Sequence, residues 1–537
     1  MKSFQSVLQK IILLTVIAGI PCTAMARNDD DGETALRKLF RATMMINQLY
    51  VDTVDLNKQV EDAIVGMLSK LDPHSAYTNP EETRRLNEPL QGNFDGIGVQ
   101  FNMLEDTLLV IQPTSKGPSE RAGILAGDRI VTVNDTAIAG VNMSREEIMK
   151  RLRGPRGTMV KLGIVRRGIK GLLTFDIKRA QIPVNTLDAA YMVEPGIGLI
   201  RFSSFGATTH TEVAEAIERL KAAGMTDLIL DLQGNGGGYL GMAAQIASEF
   251  LPIGDLIVYT KTRGGVYGED YRSRGSGLMR TGRVVVLVDE YTASAAEIVA
   301  GAIQDHDRGL IVGRRTYGKG LVQRPIELED GSMIRLTIAR YYTPSGRCIQ
   351  KPYEKGDSKS YGRDVIERYN RGELTNADSI HFPDSLRYTT LVKHRTVYGG
   401  GGIMPDRFVP LDTTRYTKLY RELTAHSYII NASLRFMDKH RKQLQRSYST
   451  FEQFNREFAM PTDVMEQMLA EAKQKDKLEA TDDTERQQTI ALASRTLKAL
   501  VARDLWDMSE YYQIIYEADP VLNEALDILH DSRQWAK

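Results

Sequence analysis

The run Val284-Val285-Val286-Leu287-Val288, with what flanks it, restricts the fold more than any other segment of this chain. Five apolar residues without polar alternation read as a buried strand. The apolar stretch Ala295 to Ile303 then reads as a helix, joined to the strand by a short turn. Upstream the same order repeats. A predicted strand Ile197 to Phe202 precedes a helix from Thr209 to Ala223. A second strand, Asp227 to Leu232, precedes a Gly-rich turn and a helix from Met242 to Phe250. Such alternation predicts an α/β core. Predicted strands at Leu321 to Ile326 and Ser332 to Tyr342 follow it, and 537 residues leave room for further domains.

Those domains are visible as changes of texture. Residues 1–26 have the form of a cleavable signal peptide: Lys2 and Lys10, an apolar run Ile11 to Ile20 too short to span a membrane stably, and Ala24-Met25-Ala26. Residues 33–90 show helical spacing of Leu36, Leu39, Met44, Ile46 and Leu49, ending at Leu71-Asp72-Pro73-His74-Ser75, where His74 reads either as a functional imidazole or, as is commoner beside a proline in a turn, as a cap or packing residue. Residues 91–183 carry short β-type runs with two helices. The core occupies 184–412, with a polar excursion at about 351–393 that reads as an insertion. Residues 413–537 are charged and helical in pattern.

Composition narrows the partners. Lys+Arg and Asp+Glu both number 69, so no global field steers the chain toward nucleic acid or anionic membrane. No later segment is apolar enough to span a membrane. With Cys22 in the signal segment, Cys348 has no intramolecular partner, which suits a bacterial envelope protein held together by its cores. No residue pattern calls for a metal or cofactor.

The turn after the buried strand reads Thr292-Ala293-Ser294-Ala295-Ala296-Glu297. Ser294-x-x-Glu297 is a capping-box pattern, and a serine there also stands beside free helix N–H groups. Serine becomes a nucleophile only when a base takes its proton. A lysine serves if desolvation lowers its pKa from about 10.4. Gly318-Lys319-Gly320-Leu321-Val322-Gln323 offers one, with Gln323 four residues on, expected on the same face and able to aim the amine. Gly313 to Gly320 only approaches a phosphate-binding loop: Gly320 replaces the required hydroxyl, and a strand follows where a helix should open. Asp231-Leu232-Gln233-Gly234-Asn235-Gly236-Gly237-Gly238 ends a strand with glycines able to turn N–H groups toward a developing oxyanion. Gly96-Ile97-Gly98-Val99, with Ala122 to Asn134, forms a loop suited to capture a peptide carboxylate while the peptide adds a strand. A rival arrangement pairs Ser294 with His306 and Asp305, but a continuous helix would hold serine and histidine roughly 18 Å apart.

Taken in order, these four motifs resemble the carboxyl-terminal processing (tail-specific) serine proteases over roughly residues 35–412. The resemblance implies a multidomain α/β architecture: a Ser–Lys protease core, an inserted β-rich PDZ domain and helical N- and C-terminal regions. It implies Ser294 as nucleophile, Lys319 as general base and Gln323 as its orienter, with the N–H groups of Gly237 and Ala295 as the oxyanion hole. Gly96, Ile97, Gly98 and Val99 would bind the C-terminus of a protein or peptide substrate with an apolar end. The implied setting is periplasmic, without cofactor, metal, nucleic acid or a stable membrane span. A homo-oligomer and an adaptor protein both stay open as partners. The chain departs from the family in having Gln233 where arginine is usual and Gly236 where proline is common.

Overall fold

A computed structural model describes residues 29–275 and 277–531. Residues 1–26, which the sequence reads as a signal peptide, lie outside the described residues. Residues up to Lys70 and from Leu71 onward form two compact units. In the first, the helices Asp29–Leu49 and Leu56–Leu68 are joined by a turn in which Asp55 accepts from the N–H groups of Asn57 and Lys58. Many apolar side chains of this pair, among them Leu36, Phe40 and Leu49, are exposed.

The centre of the second unit is a six-stranded sheet. Its order is Leu187–Glu194, Ile197–Phe202, Asp227–Asp231, Val284–Val288, Leu310–Gly313 and Arg407–Phe408. The first pair is antiparallel and the rest are parallel. All five residues of Val284–Val288 are buried, because both faces of the sheet are covered. Val284, Val286 and Val288 pack with the helices Thr209–Ala222, Leu240–Ser248 and Ala295–Asp305. Val285 and Leu287 face the other way, onto Tyr516, Val521, Leu522, Ala525, Ile528 and Leu529. The last helices of the chain, Met508–Tyr516 and Pro520–His530, therefore close a sheet begun three hundred residues earlier.

A second sheet is organised around the ten-residue strand Met333–Tyr342, which pairs with Leu321–Glu327, Leu256–Lys261 and Ala76–Thr78. The last of these is a strand within 33–90, the region read as helical, just past its break at Leu71 to Ser75; Tyr77 and Thr78 find backbone partners in Ile334 and Met333, residues too distant to leave a local pattern. The polar excursion folds into a helix, Ser358–Asn370, with Tyr361 and Arg368 buried. A five-strand path, Val99–Leu104, Thr107–Pro113, Arg129–Val133, Met159–Val165 and Leu173–Lys178, builds the small β-rich domain around Leu108, Ile130, Leu162 and Ile164. It joins the core through the paired strands Asn93–Gly96 and Ala180–Pro183. The helices from Lys418 to Tyr516 share their own core, with Leu423, Phe454, Leu497 and Val501 fully buried.

Candidate active site

Ser294 sits between the buried strand and the helix Ala295–Asp305 with φ 59° and ψ −117°. A non-glycine residue in this region costs about 1–3 kcal/mol and persists only where its surroundings fix it. They do so from three sides. Asn235, completely buried, accepts from the Ala293 N–H at 2.9 Å through its carbonyl, and its side-chain amide donates to the Phe202 carbonyl at 2.8 Å. Thr292 donates its hydroxyl to the Leu232 carbonyl at 2.9 Å and accepts from the Tyr317 N–H at 3.0 Å. Glu297 accepts from the Ser294 N–H at 2.8 Å.

Glu297 does much more than cap. Fully buried, its carboxylate also accepts from the N–H groups of Gly318 at 2.7 Å and Lys319 at 2.9 Å, and from the Thr316 hydroxyl at 2.5 Å. One oxygen thus holds the backbone nitrogens of both Ser294 and Lys319, which places them within about 6 Å of each other, the sum of the two bonds. Burial pushes the Glu297 pKa up to about 7, while the four donors pull it back. Tyr341, equally buried, ties the carbonyls of the same two residues, its hydroxyl lying 2.6 Å from that of Lys319 and 3.2 Å from that of Ser294.

The Lys319 side chain is half-buried, and its pKa is lowered, first by desolvation and then by the Arg335 guanidinium; Glu297 and Asp72 oppose this. The Arg335 guanidinium makes no ion pair or hydrogen bond among the described residues, and its Nε is buried without a partner. His74 belongs to the same surroundings. Its Nε2 lies 3.0 Å from the Tyr361 hydroxyl, and burial followed by the charge of Lys319 depresses its pKa to about 4, so it is neutral at neutral pH. No hydrogen bond joins Ser294 Oγ to Lys319 Nζ; the two residues are linked through Glu297 and Tyr341.

Gln323 lies on the neighbouring strand, but its amide donates to Thr337 Oγ1 at 3.2 Å rather than to Lys319. Thr337 in turn donates to Asp72 at 2.9 Å. The strand register slips between Val322 and Gln323, and such a bulge re-aims the side chains beyond it. Gly237, with φ 96°, abuts the serine turn: a Cβ there would lie 2.8 Å from Ser294 Cβ and 2.9 Å from the Ala295 nitrogen. Its N–H donates to Asn235 Oδ1 at 2.9 Å. The Ala295 N–H, at the first helical position, has no intrahelical partner. His306 lies at the far end of the same unbroken helix, 2.7 Å from the Leu256 carbonyl, and Asp305 pairs with Arg347, which removes the Ser294–His306 arrangement.

In the β-rich domain, Val99–Leu104 is an edge strand, and Gly98 opens it with φ 71°. Between this strand and the helix Arg145–Leu152 lies a groove of about 270 Å³, lined by Ile97, Val99, Phe101, Met149 and Leu152. Gly98 also lines it, while Gly96 ends the preceding strand outside the lining. Among the described residues no cluster of three or more His, Cys, Asp or Glu is arranged to hold a metal ion, and no helix is long and apolar enough to cross a membrane.

Comparison with known proteins finds peptidase family S41 over residues 196–358 and a PDZ domain over 96–178. Residues 20–83 match the N-terminal domain of the activating protease CtpB, and 419–507 a family of unknown function. The chain is 34% identical over 339 residues to the carboxy-terminal processing protease CtpB of Bacillus subtilis (strain 168), covering 62% of this chain and 69% of that one. CtpA of the same organism is also 34% identical, over 351 residues that cover 64% of this chain and 74% of the relative. A solved photosystem II D1 C-terminal processing protease aligns at 30% identity and a TM-score of 0.33, over 58% of this chain and 89% of that one.

Proposed function

This chain belongs to the carboxy-terminal processing serine proteases of peptidase family S41, and we propose that it cleaves by a Ser–Lys mechanism after a PDZ groove has taken the substrate's free C-terminus. One observation carries the reading: a single buried carboxylate oxygen of Glu297 accepts from the N–H groups of both Ser294 and Lys319. In the proposed reaction the neutral amine of Lys319 takes the Ser294 proton as Oγ attacks the peptide carbonyl. The N–H of Ala295 and that of Gly237 stabilise the oxyanion, for which the Gly237 N–H must leave Asn235. The lysinium then protonates the departing amine, and water releases the acyl group. Ser294 Oγ and Lys319 Nζ must come into hydrogen-bond reach for the first step, a contact that free enzymes often lack. Gln323 acts on Lys319 through its surroundings, the Thr337–Asp72 network.

The groove beside Gly96, Ile97, Gly98 and Val99 supplies an open strand edge and an apolar pocket, which favours substrates ending in an apolar residue. The signal-like segment supports export to the periplasm and substrates among envelope proteins. The test is cleavage of an unstructured substrate ending in either an apolar or a charged tail, by wild type, Ser294→Ala and Lys319→Ala. Both variants should be inactive. Cleavage surviving either substitution overturns the Ser–Lys mechanism, and indifference to the tail overturns the role of the groove.

A further inference from the structure

Two cations and no carboxylate line the groove of the PDZ domain: Arg145, which opens the helix Arg145–Leu152, and Arg153, which caps its other end. Arg153 is already engaged, paired with Glu88 and lying over the Phe94 ring, 4.7 Å from its centre. Arg145 is exposed and makes no ion pair or hydrogen bond among the described residues. Its guanidinium carbon stands 5.2 Å from the centre of the Phe101 ring, a contact that holds the cation at the groove and leaves its N–H donors unclaimed. Arg145, Met149 and Leu152 recur every three or four residues, so they share one helix face. The neighbouring acids Glu146 and Glu147 are not in the lining, and Glu147 pairs with Arg151 at 3.1 Å.

The two arginines also fix the direction of the helix. Arg145 lies beside Phe101 and Arg153 beside Phe94, so the helix runs against the chain from Phe94 to Phe101. A tail that adds to the edge strand with its carboxylate at Gly96 to Val99 turns alternate side chains toward the groove. Its last side chain then lies level with Val99, Met149 and Leu152. The next to face the groove belongs to the residue two before the end, about 6.6 Å further along an extended chain. On the strand that is the step from Val99 to Phe101, both of which line the groove. On the helix it is the single turn from Met149 back to Arg145, about 6 Å at 1.5 Å per residue. An apolar last residue therefore places the side chain two before it against Phe101 and the unpaired Arg145.

We propose that this protease selects tails with an acidic side chain two residues before an apolar C-terminal residue, and that Arg145 reads that side chain. The inference rests on the tail-binding reading above. Its test uses full-length protein and peptides that share one cleavable sequence and an apolar free C-terminus, and differ only in carrying Glu, Gln or Lys two residues before the end. For wild type, kcat/KM should be about threefold to fivefold higher with Glu than with Gln, and lower still with Lys, as befits an exposed charge pair. The advantage should shrink at high salt and vanish when Glu moves one residue upstream, where its side chain faces away. Arg145→Glu should reverse the order and make the Lys peptide the best substrate, a gain that a misfolded variant cannot produce. Equal rates for the three peptides, or a preference for Glu that Arg145→Glu retains, overturn the proposal. C-terminally amidated peptides separate the two levels: if wild type ignores amidation, tail binding and selection by Arg145 both fall. If amidation slows cleavage of all three peptides and the free-acid series shows no order, selection by Arg145 alone falls.

Discussion

Replacing Glu297 by glutamine changes one atom of a buried carboxylate that accepts from four donors, and the consequence can be worked through bond by bond. One oxygen faces the N–H groups of Ser294 and Lys319; the other faces the Gly318 N–H and the Thr316 hydroxyl. An amide nitrogen in the first place meets two N–H groups that cannot reverse. In the second it meets one, because a hydroxyl can turn to accept. The second arrangement is cheaper and leaves the Gly318 N–H buried and unpaired, at about 1–3 kcal/mol. The two bonds that remain on the oxygen, from the N–H groups of Ser294 and Lys319, lose their charge, roughly 1 kcal/mol each, for a total of about 3–5 kcal/mol. If about 3 kcal/mol of this appears in the transition state, kcat falls by between one hundred and two hundredfold. KM for a tailed peptide should hardly move, since no residue of the PDZ groove contacts Glu297. The assay is steady-state cleavage of such a peptide above pH 7, beside a thermal melt. As pH falls through about 7, wild-type Glu297 becomes protonated and also carries an O–H where a donor sits, so the ratio of the two rates should shrink. A glutamine variant with kcat within about threefold of wild type and an unchanged melt would refute the positioning role.

Arg335→Gln removes the charge that, after burial, most lowers the Lys319 pKa, so that pKa rises; because the amine must be neutral to act, the ascending limb of kcat/KM should move to higher pH, with activity lost at neutral pH and recovered in alkali. A profile that does not move would refute the assignment. Tyr516→Phe removes the hydroxyl shared by Asp231 and Arg201, the latter donating to the Gln233 carbonyl at 2.9 Å. Loss of this bond should cost about 1–2 kcal/mol of stability and lower kcat several-fold by loosening the glycine turn; unchanged melting and kinetics would show that the turn stands without it.

The serine turn was legible because its signals are local: a run of apolar residues, a capping pattern and an apolar helix in immediate succession. Lys319 could be read from its glycines and the strand after it. What escaped sequence reading was whatever depends on distant partners. Asp72 meets Thr337, and Tyr516 meets Asp231, across most of the chain, so no spacing announces either. Gln323 follows a bulge, and one extra residue in a strand defeats any argument from side-chain alternation. Glu297 was visible as a cap, but its reach to Gly318 and Lys319 required knowing which loop folds over it. Arg368 lay in a stretch that looked merely polar; its guanidinium donates to the Arg315 and Thr316 carbonyls, just behind the lysine.

Closure of the central sheet by the final helices also has a consequence for biosynthesis. A chain made from its N-terminus has Ser294 and Lys319 in hand roughly two hundred residues before Tyr516 and the segment Pro520–His530 emerge. At roughly 5–20 residues per second that is an interval of about ten to forty seconds, during which one face of the strand carrying the serine turn lacks its cover. The strand that carries the serine turn is thus covered on its second face by residues more than two hundred positions downstream.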